Sequence, residues 1–278
     1  MLTVQQLEGI QHLQHQCEEH DQIELKLNWE MLRDRREESL DFFVWKENVL
    51  IAYLALYGFG STVEVCGMVK PSERRNGHFS NLWMKAQQAI VEKGFTKVLF
   101  NAPGTSQSAK EWMAGQSCDY SFSEFHMHWN PKELADSKDI VLREATLEDK
   151  TFETALDAEA FSLSLEDAEA YYNQRLSRER ERRYIIEVDG SPIGKIRVMR
   201  NPNESYLSGF AVLPECRGKG YGGQALQLVV KQEQSTGNII KLDVETQNDN
   251  ALKLYERIGF VQQERQDYYD VPLALLTK

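Results

Sequence analysis

A chain of 278 residues has room for one large domain or two of ordinary size, and its 43 acidic against 32 basic side chains leave a net charge of −11. With 41% hydrophobic residues it can bury real cores, and no basic stripe or tail offers a footprint for nucleic acid. No apolar run approaches the roughly 18 residues of a membrane span, and no basic-then-apolar leader opens the chain. Four scattered cysteines without a C-x-x-C pair fit reduced thiols, so a cytoplasmic protein with neither nucleic-acid nor membrane partner is expected.

In chain order, apolar spacing predicts a helix over 4–20 and another over 28–38, then strands over 41–46 and 49–57. The run from Val63 to Val69 reads as a strand ending at Pro71, followed by a turn and a helix over 77–93. A strand over 96–101, a short helix over 105–115 and a strand over 119–128 follow. The polar stretch 130–138 opens with an X-Pro turn and sets a domain boundary, giving domains 1–136 and 137–278.

The second domain begins with a strand at Asp139, then helices over 148–160 and 165–181. The alternating charges of Arg178–Arg183 read as a solvated helix face. Strands over 184–189 and 192–200 flank the hairpin signal Asp189-Gly190, and 206–213 is a third strand. A loop with four glycines leads into a helix, then a strand over 239–245, a helix over 248–258 and a strand over 261–270. Pro71, Arg74 and Gly77 recur as Pro214, Arg217 and Gly220, each 143 residues on (214−71, 217−74, 220−77), so the chain carries one internal duplication.

The glycine loop bears the chemistry. Arg217, Gly218, Lys219, Gly220, Tyr221, Gly222 and Gly223 lie between a strand ending in Val212-Leu-Pro214 and a helix start. Glycines let backbone N–H groups converge on one point, and the helix start adds unpaired donors and a positive dipole end. Phosphate or pyrophosphate is the implied ligand. The loop has no Lys-Ser/Thr ending for a nucleoside triphosphate and no G-x-G-x-x-G for a dinucleotide.

The order Val212-x-Pro214, Arg217-x-x-Gly220-x-Gly222 resembles the coenzyme A loop of the GNAT superfamily of N-acetyltransferases, and Asn248-x-x-Ala251-x-x-x-Tyr255-x-x-x-Gly259-Phe260 is similar to a later segment of that family. The element order resembles two tandem GNAT-like domains of the α/β (α+β) class, each a mixed, mainly antiparallel twisted sheet flanked by helices. The resemblance implies acetyl-CoA as acyl donor and direct acetyl transfer to a primary amine of a small molecule or peptide. It implies loop amides on the pyrophosphate and Asn248 on the pantetheine arm. Backbone N–H groups of Phe210, Ala211 and Val212 would polarise the thioester carbonyl, and Tyr255 would protonate the departing thiolate.

Asp243 is the first candidate base, with Glu204 and Glu245 behind it; an exposed strand-edge carboxylate without a role is the competing reading for each. The first domain has Phe79 where the second has Gly222 and no tyrosine in the matching helix, so it is expected to be degenerate or accessory. His126 and His128 share a strand face, but two histidines without further ligands make a poor metal site, and no metal is expected. The acceptor pocket is placed between Phe161–Ser164 and Tyr268-Tyr269. A non-catalytic coenzyme A sensor or scaffold is the alternative function, and a transferase using aminoacyl-tRNA fits poorly without a basic surface. Either a monomer or a homodimer is compatible with the sequence.

Overall fold

A computed structural model describes residues 1–35, 40–137, 139–176 and 180–276. The chain forms two compact units, one of Met1–Ser123 with Glu264–Lys278 and one of Glu124–Gln263.

Unit 1 contains α1 (Val4–Asp21), α2 (Trp29–Arg33), β1 (Asp41–Lys46), β2 (Val49–Phe59), β3 (Thr62–Val69), α3 (His78–Lys93), β4 (Lys97–Pro103) and α4 (Gln107–Met113). Thr3 caps α1 through a capping box, accepting from the Gln6 amide at 3.2 Å while its own amide donates to the Gln6 side chain at 2.7 Å. Strand β2 shows why the sheet needs cover on both faces. Leu54 and Leu56 pack with Leu82, Trp83 and Phe100 on the α3 side, whereas Tyr53, Ala55 and Tyr57 pack with Ile10 and Leu13 of α1.

Unit 2 contains β6 (Val141–Glu144), α5 (Lys150–Ala160), α6 (Leu165–Arg175), β7 (Glu181–Val188), β8 (Ser191–Arg200), β9 (Glu204–Val212), α7 (Tyr221–Gln234), β10 (Ile239–Glu245) and α8 (Asp249–Ile258). Ile196, Val198, Leu207 and Leu242 meet Leu226, Val229 and Val230 of α7 in one core. The alternate residues of β8, Lys195 and Arg197, point the other way and are buried with Asp157 of α5.

Two strands run from one unit into the other: β5 (Asp119–Trp129) and β11 (Phe260–Asp270). In unit 1 the pairing order is β1-β2-β3-β4 and then Gln266–Asp270 of β11; in unit 2 it is β6-β7-β8-β9-β10 and then Glu124–His128 of β5. Only β3–β4 and β9–β10 among these pairs are parallel. The compact units therefore differ from an even division at 136/137, because the end of each repeat's last strand pairs with β4 or β10 of the other repeat.

The helix expected over 28–38 is helical only over Trp29–Arg33, and residues 36–38 lie outside the described ones. Helix α6 stops at Arg175, and of the charged run Arg178–Arg183 the part from Glu181 is strand, with residues 178 and 179 outside the described set. Its charges are not a solvated helix face. Arg183 reaches Glu153 at 2.5 Å and lies over the Tyr172 ring, so the alternation belongs to the two faces of β7.

Candidate functional site

In unit 2, β9 and β10 pair in parallel only from Glu204/Ile239 to Leu207/Leu242 and part beyond it. The parting coincides with a bulge. Between Lys195 and Arg197 of β8, three steps of β9 (Ser208 to Ala211) oppose two. Gly209 takes the extra turn at φ +55°, and a Cβ there would overlap the Arg197 guanidinium, so a side chain at this position would be strained and would displace Arg197. The bulge takes Gly209 and Phe210 out of register with β8, while Ala211 and Val212 pair again with Lys195 and Gly194.

The glycine loop follows directly. Helix α7 starts at Tyr221 with Gly220 as N-cap at φ +84° and no side-chain cap, so its first-turn amides are free of capping side chains. Gly218, Lys219 and Gly220 are exposed. Arg217 braces the loop, its Nε donating to the Val212 carbonyl at 2.8 Å and its outer nitrogen lying 3.5 Å from Glu159. Gly222 sits beneath Phe210, whose ring is 3.3 Å from where a Cβ would stand, and Gly223 is buried against Arg257 and Leu254. Asn248 N-caps α8, accepting from the Ala251 amide at 3.2 Å, so its oxygen is committed to the helix.

Tyr255 lies in α8 with its ring against Phe260, and burial pushes its phenol up to about 12. It stays protonated at neutral pH and can serve only as a proton donor. Asp243 is not a free carboxylate: its Oδ1 is 2.6 Å from His126 Nδ1, directly opposite in the β10–β5 register. Glu204 stands three residues before the strands part and is held by Lys241 at 3.0 Å and Asn201 at 3.1 Å. Burial raises its carboxyl, but these partners outweigh it and leave it below the usual carboxylate range. Glu245 lies exposed opposite Glu124. The structure thus brings Asp243 to the gap and leaves Glu204 at the closed end of the pairing. His126 is the residue that sequence reasoning missed in this role.

Unit 1 repeats the frame and differs at each chemical position. Its strands β3 and β4 part after Val65/Phe100, 142 residues before Leu207/Leu242 (207−65, 242−100). Pairing of β2 with β3 continues without a bulge from Ala52/Val69 to Phe59/Thr62. Asn101 faces Tyr268 where unit 2 has Asp243 facing His126. Met113 follows the N-cap Ser106 as Tyr255 follows Asn248. Arg74 is clamped by Asp21 at 2.9 and 2.7 Å, and Phe79 packs against Trp112 with ring centroids 4.7 Å apart.

Unit 1 nevertheless holds a cavity of about 370 Å³, walled by Met68, Phe79, Phe100, Trp112 and Met113. A cavity of that size is room for a ligand; its lining includes Asp21, Glu73 and His78 but no tyrosine, and Asp21 and Glu73 are engaged by Arg74 and Lys46. Tyr268 and Tyr269, expected beside the acceptor, belong to unit 1, with the Tyr268 hydroxyl 2.7 Å from Lys26 Nζ. Among the described residues no group of three or more His, Cys, Asp or Glu side chains could hold a metal, and no helix is long and apolar enough to cross a membrane.

Residues 146–260 match the family described as Acetyltransferase (GNAT) family. Spermidine N(1)-acetyltransferase of Escherichia coli (strain K12) is 27% identical over 93 residues, 32% of this chain and 50% of that protein, and the same protein of Escherichia coli O157:H7 gives the same figures. The chain spans about half the length of the curated relatives it matches. A GCN5-related N-acetyltransferase from Sphaerobacter thermophilus is similar over 95% of this chain and 92% of its own, with TM-score 0.78 and 19% identity. A tandem GNAT protein from the clavulanic acid biosynthesis pathway is similar over 84% and 82%, with TM-score 0.65 and 17% identity. At such identities the likeness is one of fold, and it supports a mixed α/β architecture with a mainly antiparallel sheet.

Proposed function

We propose, from the match of residues 146–260 to the Acetyltransferase (GNAT) family, that unit 2 transfers an acetyl group from acetyl-CoA to a primary amine of a small molecule or peptide. The observation that carries this reading is the parting of β9 and β10 at a bulge, with an uncapped helix start at one end and Tyr255 in the neighbouring helix.

The residues present fit acetyl-CoA. Gly218–Gly223 offer exposed or uncapped amides for a pyrophosphate, assisted by Lys219, and the gap past Leu207/Leu242 leaves strand backbone free for an amide-bearing arm. Acetyl-CoA supplies an activated acyl group. Backbone N–H groups of Phe210–Val212 polarise its carbonyl, and Tyr255 gives a proton to the departing sulfur. Direct attack by the amine needs no enzyme nucleophile, only two reactants held in line.

The spermidine specificity in the name of the curated relatives puts polyamines first among the candidate acceptors, and a net charge of −11 suits a cationic acceptor. A coenzyme A sensor is the less favoured reading, because the family that residues 146–260 match is one of acetyltransferases. The deciding experiment mixes the protein with acetyl-CoA and a panel of polyamines, simpler alkyl amines and peptides, and measures coenzyme A thiol release. Amine-dependent release is expected. Tight acetyl-CoA binding with no release for any amine would favour the sensor.

A further inference from the structure

We propose that His126 is the base that takes the proton of the acceptor ammonium, with Asp243 as its positioning residue; this rests on the transferase reading of unit 2. His126 lies in the first half of the sequence, but the end of β5 pairs with β10 inside unit 2.

Strand alternation sets the face. Phe125, Met127, Leu242, Val244 and Leu207 enter the core beneath α7 and α8. His126, His128, Asp243 and Ser208 therefore point from the opposite side of the sheet. Asp243 is the first residue of β10 past the last parallel pair, so His126 stands level with the start of the gap between β9 and β10, one strand away across β10, and reaches it over the face of the sheet that Asp243 shares.

The ring's polarity follows from its partner. An ionised carboxylate only accepts, so the imidazole donates from Nδ1 to Asp243 Oδ1 at 2.6 Å. In the neutral ring Nε2 then carries a lone pair, and this atom is buried without a hydrogen-bond partner. Leaving a buried acceptor unpaired costs stability, and a hydrogen-bond donor brought to Nε2 removes that cost. The ring edge is held by His128, whose centroid is 5.1 Å away, and the His126 side chain is 17% exposed although Nε2 itself is covered, so a substrate reaches that atom by a small displacement of its surroundings. A donor arriving with the substrate satisfies Nε2, and an ammonium N–H is such a donor.

The protons balance. An alkyl ammonium loses two on becoming an amide. His126 Nε2 takes one and releases it to solvent. The freed nitrogen lone pair forms the C–N bond, and the C–S electrons leave on sulfur. Sulfur gains the Tyr255 proton, and the nitrogen's second proton restores that tyrosine. No oxidant or metal is required.

His126→Gln removes the base but leaves a polar side chain. With a strongly basic alkyl amine at neutral pH, kcat should fall ~10²- to 10⁴-fold with the KM for acetyl-CoA unchanged. With a weakly basic amine, already neutral at that pH, the same variant should fall less than about tenfold, because no ammonium proton has to be removed. Asp243→Asn should give a smaller loss in kcat with the same dependence on amine basicity, which a merely structural role would not produce. Circular dichroism and acetyl-CoA affinity confirm folding first. Equal loss with both amines, or no loss with the alkyl amine, would overturn the role of His126. Absence of amine-dependent turnover in the unaltered protein would sink the transferase reading and this proposal together.

Discussion

Tyr255→Phe should lower kcat by ~10²- to 10⁴-fold while acetyl-CoA affinity stays at its unaltered value, if chemistry limits the rate. The substitution keeps the ring that packs on Phe260 and in the core beside Leu226 and Ile258, and removes only the proton. Burial is what keeps this phenol protonated, as the proposed role requires. With its phenol pushed up to about 12, it is protonated throughout the range in which an amine can be assayed. Loss of the Tyr255 proton therefore adds no alkaline fall in rate below about pH 11, which a pH–rate profile of the unaltered protein checks. Full kcat in the phenylalanine variant would remove Tyr255 from the mechanism.

Asp157→Asn should destabilise unit 2 by ~3–5 kcal/mol. Asp157 is the shared partner of Lys195 and Arg197, at 3.0 Å from the latter, and all three are almost entirely buried. Removing Asp157 leaves two desolvated cations without their shared partner, with only the more distant Glu153, itself paired with Arg183, to offset them. Arg197 also lies over the Tyr171 ring and beneath Gly209, so the loss reaches the bulge itself. Burial, and then the Arg197 charge, lower Lys195 to about 8 against its ordinary 10.5, with Asp157 opposing. The unfolded chain holds that proton up to its ordinary value, so the unaltered protein gains stability as pH rises between these limits. Above about pH 8 Lys195 is neutral in the folded unit, and the cost of Asp157→Asn should shrink. Urea unfolding at pH 7 and pH 9 measures both effects; midpoints that match the unaltered protein at both would refute the account of this network.

Much of the site is legible in the sequence because it is local. The loop Arg217–Gly223, its helix and the Asn248–Phe260 segment are each contiguous, and glycines and caps announce them. The element order follows from apolar spacing, and the fold likeness to GNAT structures accords with it.

What the sequence conceals is non-local. His126 and Asp243 are 117 residues apart and meet because the end of β5 pairs into unit 2, and no spacing rule marks that exchange. The commitment of Asp243 to His126, and of Glu204 to Lys241 and Asn201, also appears only once strands are in register. One signal was within reach. The repeat is displaced by 142 residues along the paired strands but by 143 at the loop, and the step locates the extra residue that becomes the Gly209 bulge.

The central claim is that turnover belongs to unit 2, although the 370 Å³ cavity lies in unit 1. Arg74 is unsuitable for a test because it is locked to Asp21 and to the Val69 carbonyl, so its loss would unsettle the unit. Arg75 is exposed and, among the described residues, pairs with Glu111 at the surface, so Arg75→Glu reverses the charge at the unit 1 loop with little effect on folding. Gly222→Phe places a ring over the start of α7 in unit 2, where Phe210 already leaves no spare room. The decisive measurement is amine-dependent coenzyme A release by these two variants, each first shown to be folded. The account predicts that Gly222→Phe abolishes release and Arg75→Glu retains most of it; an active Gly222→Phe protein beside an inactive Arg75→Glu protein would contradict it.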